Sequence, residues 1–266
     1  MKTELREFVL KQQDCAVYYW LGGKPGAPLV IFTHGATIDH HEWDPTLDHL
    51  AAQYQLLVWD MPGHGQSRPG TFSMAGAVDA LLAILDELNI SQAIFVGHSL
   101  GGNLQQEMAF YHPERVKALF CLDCTWNFQK LTRLEQTMLN WAEPILMMYP
   151  YKTLVDLSIK ATTDSKMGES IMRSAVMLHD KREFARIMAA GALCLHYEPG
   201  YAINKPLLLM LGDKDQTGNI RKAMPAWAKV EPDCELVIVP NVKHAPNFDA
   251  PDIFHDHLFR FIEANA

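Results

Sequence analysis

The chain has 266 residues, of which 48% are hydrophobic and 20% charged, with a formal charge of −8. That is enough apolar material for one large domain with a substantial core, and it argues against disorder. With no block of Lys or Arg, nucleic acid is excluded as the main partner, because phosphate contacts need concentrated positive charge.

The first residues, MKTELREFVLKQQDC, are interrupted by charges every few positions and lack the apolar stretch of a secretory signal. The longest apolar run, Ile187 to Leu195, is about half of the roughly 18 residues a membrane-spanning helix needs, so no membrane partner is expected. The cysteines are few and scattered, which suits a reducing cytoplasm. The close pair Cys121-Leu-Asp-Cys124 has no second ligand pair at zinc spacing and reads as small buried hydrophobes.

REFVLKQ and CAVYYWLGG read as an antiparallel hairpin at one edge of a sheet. Apolar runs follow at 29–34 (LVIFTH), 54–60 (YQLLVWD), 93–99 (AIFVGHS), 116–123 (VKALFCLD), 206–213 (PLLLMLGD) and 235–241 (ELVIVPN). Continuous rather than alternating hydrophobicity predicts strands covered on both faces, hence an α/β fold with a mostly parallel, roughly eight-stranded sheet flanked by helices. Helices are predicted over Met74 to Asn89, with Ser73 as N-cap and an apolar stripe of Leu81, Leu82, Leu85 and Leu88, and over Leu100 to His112, stopped by Pro113. The last runs from Pro251 to Ala264, with Phe254, Leu258, Phe261 and Ile262 on one side.

Residues 126–200 carry no strand signal, too long a stretch for a loop in a compact domain. Phe184, Ile187, Met188, Gly191 and Leu195 fall at helical spacing, as do Ile171, Met172, Ala175 and Val176. The expected organisation is a core of residues 1–125 and 201–266 with a helical cap, 126–200, inserted between core strands. Seven of the thirteen methionines lie in this insertion, where they either line an adaptable apolar cavity or glue the cap helices together. Its nine basic and eight acidic residues nearly cancel, so no anion-binding surface is evident.

The stretch Gly97-His98-Ser99-Leu100-Gly101 joins a predicted strand to a predicted helix. A serine in such a tight turn projects from the carboxyl end of a strand, where open α/β sheets bind ligands, and flanking side chains would clash there. Serine alone is a weak nucleophile, so a base and a group orienting that base are needed. The chain order Ser, acid, His is met by Ser99, Asp215 and His244, the last two each in a loop directly after a predicted strand. Asp123, at the end of a core strand, is a rival acid, and Asp213 is expected to support its turn.

The sequence resembles the α/β-hydrolase fold superfamily of Ser-His-Asp type over nearly its whole length. The likeness rests on five signatures in order: His34-Gly35-Ala36, Asp60-Met61-Pro62-Gly63-His64-Gly65-Gln66-Ser67, the GHSLGG turn, Gly212-x-x-Asp215, and His244. It implies an oxyanion hole made by the backbone N–H groups of Ala36 and Leu100, and the small Gly35-Ala36 pair leaves room for one. Serine at position 99 disfavours the superfamily's haloalkane dehalogenases and epoxide hydrolases, which attack through a carboxylate.

His34, His64 and Asp60 are expected to shape loops. Asp39-His40-His41-Glu42 invites a metal reading, but neighbouring side chains should point apart, so neither metal nor cofactor is expected. Trp43, Trp126, Met138 and Met147 are candidate pocket residues. The expected activity is hydrolysis of a small or medium apolar carboxylic ester, a small-molecule substrate. Alternatives are a lactonase or C–C bond hydrolase on the same triad, or a small-molecule-sensing receptor that keeps the triad.

Overall fold

The structure, a computed structural model, describes residues 3–12 and 15–266. Eight strands form one sheet: β1 (Arg6–Lys11), β2 (Ala16–Gly23), β3 (Leu29–Thr33), β4 (Gln55–Trp59), β5 (Ala93–His98), β6 (Val116–Leu122), β7 (Leu207–Gly212) and β8 (Cys234–Val239). Their spatial order is β1-β2-β4-β3-β5-β6-β7-β8. The edge hairpin β1–β2 is antiparallel, β2 runs antiparallel to β4, and every later pairing is parallel, as the apolar runs predict.

Burial on both faces explains the unbroken hydrophobic runs. In β7, Leu207, Leu209 and Leu211 join one core layer, whereas Leu208 and Met210 join the other. Among the described residues the α-helices are α1 (Asp44–Leu50), α2 (Met74–Glu87), α3 (Leu100–Tyr111), α4 (Arg133–Asn140), α5 (Ala142–Met147), α6 (Tyr151–Thr162), α7 (Lys166–Val176), α8 (Lys181–Leu193), α9 (Ile220–Ala228), α10 (Pro246–Asp249) and α11 (Pro251–Asn265). Helices α2, α3 and α9 cover the first face through residues such as Leu81, Leu104 and Met224. The opposite face is covered by α1 and α11, through Leu47, Phe254 and Leu258.

Helix α2 starts as predicted, with Ser73 Oγ accepting the Gly76 N–H. Its buried stripe differs in detail: Ile84 joins Leu81 and Leu85, while Leu82 and Leu88 are only partly buried, because the packed arc is centred one residue from the leucine row.

Between β6 and β7 the described residues form five helices, α4 to α8, and no strand. Helix α8 begins in a capping box of Asp180 and Glu183 and ends before Leu195, so that residue falls outside the helical stripe its spacing suggests. Leu154, Ile159, Met172, Val176 and Phe184 of α6, α7 and α8 pack with Ile38, Ala245 and Phe248 into a third cluster. Ile38 follows β3, and Ala245 and Phe248 follow β8, so these helices sit over loops at the carboxyl ends of the strands. No residue of α4 or α5 is buried. Among the described residues no helix is long and apolar enough to cross a membrane.

Candidate active site

Strand β5 hands over to α3 through Ser99, whose backbone is held at φ 50 and ψ −114, a conformation L-residues avoid. Its glycine neighbours make this possible. A Cβ at Gly97 would meet the Gly101 carbonyl carbon at 2.6 Å, and one at Gly101 would meet the Thr33 carbonyl oxygen at 2.3 Å. The elbow therefore wedges α3 tightly against β3 and β5. Leu100 opens α3, and first-turn N–H groups have no acceptor within their own helix, so this amide is available to an external oxyanion.

The loop after β7 bends at Gly212, where Asp215 N–H donates to the Gly212 carbonyl at 3.1 Å. Asp215 Oδ1 accepts the Thr217 N–H at 2.7 Å, and Oδ2 lies 2.9 Å from His244 Nδ1. Burial alone would raise the Asp215 carboxyl, but the adjacent His244 imidazole and the hydrogen bonds outweigh it and hold the group below its ordinary range. His244 is itself tied at its backbone: its N–H donates to the Thr162 carbonyl at the end of α6, and its carbonyl accepts His98 Nε2 at 2.8 Å.

Two cavities meet at Ser99. The larger, of about 1160 Å³, is lined by Ala36, Leu100, Met138, Leu139, Met188 and Ile220 among others. The smaller, of about 420 Å³, is lined by His244 and by an apolar wall including Ile38, Leu154, Ile159, Val176 and Phe184. Ala36, Ser99, Met188, Gln216 and Thr217 belong to both. Ala36, Ser99, Leu100 and Asp215 line the larger cavity, Ala36, Ser99 and His244 the smaller, and Asp215 and His244 are in direct contact.

The candidate pocket residues divide. Met138 lines the larger cavity. Trp43 does not line either; it is fully buried between Phe32 and Phe254, where α1 and α11 meet the sheet, because its large ring is needed to fill that layer. Trp126 packs part-buried against the other core layer, and Met147 stands outside both linings, its carbonyl accepting Lys181 Nζ.

The rival acid, Asp123, is fully buried at the end of β6, where its Oδ1 accepts the Gly212 N–H at 3.0 Å. Asp213 does not brace its turn as expected: its N–H donates to the Val239 carbonyl at the end of β8, carrying the β7–β8 pairing one residue further, and its Oδ1 is buried without a hydrogen-bond partner. His34 Nδ1 bonds the Gly35 carbonyl, and its Nε2 accepts the Met61 N–H. Asp60 accepts the backbone N–H groups of His40 and Gln66, and His64 Nδ1 lies 3.2 Å from the Pro62 carbonyl. All three stay in loop architecture.

Asp39, His40 and His41 do not point apart: each presents a ligand-type atom within 4.8 Å of the others, because a tight 3-10 turn draws them together. The two imidazoles are nevertheless committed, His40 Nδ1 to Asp60 and His41 Nδ1 to Asp44, each at 2.9 Å. Asp123, Asp215 and His244 form a second such group.

A buried pair that no sequence pattern announces holds these loops together. Glu42 Oε1 approaches His98 Nδ1 to 2.6 Å, poorly aligned for a hydrogen bond but in full electrostatic contact. Burial disfavours charge on both, yet mutual attraction prevails: the carboxyl is held below its ordinary range and the imidazole above it, each favouring the charged form of the other. Glu42 also accepts the Gly35 N–H at 2.9 Å and the Asn247 side-chain amide at 3.3 Å. One carboxylate thereby links the loop of Ala36, the serine elbow and the loop of His244.

An eight-stranded, mostly parallel sheet with a serine elbow at the end of its fifth strand defines an α/β-hydrolase architecture. The sequence model of the family described as "alpha/beta hydrolase fold" matches residues 28–251, and the chain belongs to that family. It is 26% identical to the dihydrolipoyllysine-residue acetyltransferase component of the acetoin cleaving system of Pseudomonas putida, over 92% of this chain and 66% of that protein, so it spans just under two thirds of that relative's length. A pimeloyl-[acyl-carrier protein] methyl ester esterase of Nitrosospira multiformis is 26% identical over 88% of this chain and 94% of its own. The crystal structure of an enol-lactonase from Burkholderia xenovorans superposes with a TM-score of 0.83 at 18% identity, covering 96% of this chain and 100% of that one, a likeness of fold.

Proposed function

We propose that the protein is a serine hydrolase that cleaves a carboxylic ester through Ser99, His244 and Asp215, with α4 to α8 acting as a cap over the site. The observation that carries this reading is the Asp215–His244 hydrogen bond at 2.9 Å, together with a cavity whose lining holds both His244 and the strained Ser99. In the reaction His244 takes the Ser99 proton and Ser99 Oγ attacks the ester carbonyl. The resulting oxyanion sits on the N–H groups of Leu100 and Ala36. His244 returns its proton to the departing alkoxide, and water, activated by the same imidazole, releases the acid. Each amide donor supports the transition state by about 3 to 4 kcal/mol.

The two cavities specify the substrate further. A leaving oxygen must lie beside the imidazole, and only the smaller cavity is lined by His244. The alcohol therefore occupies the small apolar cavity and the acyl group the large one beside Leu100. Two cavities that meet at Ser99, one lined by His244 and one not, favour an open-chain ester over a lactone, whose two halves stay tethered.

The test is fluorophosphonate labelling followed by turnover on aryl esters. Wild type is expected to label stoichiometrically and to turn over repeatedly, whereas S99A does neither and H244A loses at least about 10³-fold in kcat. Labelling of wild type without turnover, across esters of several lengths, would refute the enzymatic reading and favour a sensor.

A further inference from the structure

Asp123 has no task in the scheme above, yet its setting is unusual for an acid. It is fully buried, and its backbone is held at φ +39, a conformation that favours glycine and in other residues costs energy. Its Oδ1 accepts the Gly212 N–H, while Oδ2 is buried with no hydrogen-bond partner when the side chain is taken as a carboxylate. An orphaned buried anionic oxygen is expensive. Its surroundings make that cost worse: oxygen atoms of Asp123 and Asp215 and a ring nitrogen of His244 all lie within 4.8 Å of one another.

A carboxylic acid resolves the conflict, because it has a proton to give. Asp215 can receive it: Thr217 N–H occupies Oδ1 and His244 Nδ1 occupies Oδ2, and a carboxylate has about four lone-pair sites, so a third donor is accommodated. We propose that Asp123 is a neutral acid whose Oδ2 donates a hydrogen bond to the Asp215 carboxylate, making it a positioning residue that holds Asp215 against His244. This rests on the triad reading of Ser99, His244 and Asp215.

The electrostatics agree. Burial first, and then the negative charge of Asp215, push the Asp123 carboxyl well above its usual range. The groups facing it are Asp215 after β7, His244 after β8 and, farther off, Asp249 of α10, with the Cys124 thiol beside it on its own segment. Two acids are therefore set apart by their surroundings. Asp215 has an imidazole partner and further donors and stays ionised; Asp123 has a single backbone donor and stays protonated.

The experiment compares full-length wild type, D123N, D123A, D215N and S99A on one aryl ester, with infrared difference spectra of wild type against D123N. A carbonyl band of a protonated carboxylic acid is expected in wild type at neutral pH and absent in D123N. The side-chain amide that D123N introduces can still donate to Asp215, so this variant keeps kcat within roughly threefold, whereas D123A loses on the order of 10² in kcat with KM little changed. If D123N is as impaired as D123A, an ionised carboxylate is needed at this position and the proposal is overturned. Full activity in D123A, or no protonated-acid band in wild type, overturns it equally. Should D123A fail to fold, D123N activity and the band still decide. S99A or D215N turning over like wild type would instead sink the triad reading, while the band, read without turnover, continues to report on Asp123.

Discussion

At 1% and 2% exposure, Glu42 and His98 form an ion pair out of reach of solvent. Such a pair is weak evidence for net stability, but removing one member leaves an uncompensated buried charge, which costs about 3 to 5 kcal/mol. E42Q is expected to lower the unfolding free energy by that amount in urea titrations. The loss should be less than additive in the E42Q/H98Q double variant, because the second change removes the orphaned cation. Additive losses would show that the two side chains do not couple. Ser99, Asp215 and His244 are legible in the sequence because each follows an apolar run, and local order suffices to place them. Glu42 is not legible, since its side-chain partners, His98 and Asn247, lie far away in sequence and nothing in HHEW distinguishes a buried carboxylate from a solvated one. Trp43 escapes a sequence reading for a related reason: a tryptophan near a signature loop can face the ligand or the core, and only burial tells which.

Helices α4 and α6 wall different cavities: Leu139 of α4 lines the larger and Leu157 of α6 the smaller. Neither side chain is fully buried, so each tolerates enlargement. L139W is expected to depress kcat/KM selectively for esters with long acyl chains, and L157W for those with long alcohols. An overfilled or underfilled pocket is worth about 1 to 3 kcal/mol, so roughly tenfold or more in each case. A matrix of acyl and alcohol lengths reads the effect, and exchanged selectivities would reverse the assignment of the cavities. The helical nature of residues 126–200 is readable from apolar spacing in α7 and α8. Helices α4 and α5 have no buried residue to generate a periodic stripe, and which cavity each helix walls depends on how the segment folds back over the strand ends.

Over the whole molecule, the inserted helices and the sheet body also meet through titratable groups. His179, between α7 and α8, packs edge-on to His64 of the loop after β4 at 5.6 Å, and both ring nitrogens of His179 are buried without a hydrogen-bond partner. Burial first, and then the Arg68 guanidinium, push His179 down to about 4. An unfolded chain takes up this proton near pH 6.5, earlier than the folded one does, so the stability the neutral imidazole confers is complete above about 6.5 and lost as pH falls toward about 4. The loss is on the order of 3 kcal/mol. H179Q should flatten the acid side of a stability-against-pH curve measured by urea unfolding; an unchanged slope would place the linkage elsewhere.

Sequence alone determines that this chain builds a mostly parallel α/β sheet with a serine elbow and two later strand-end loops carrying an acid and a histidine. Those features follow from hydrophobic periodicity and from glycines at a crowded turn, which are properties of short segments. Only the tertiary structure decides that Glu42 lies against His98, that Asp123 lies near Asp215, and that two cavities meet at Ser99. Each depends on burial and on approach between side chains distant in the chain, and the energy of a charge is set by what surrounds it.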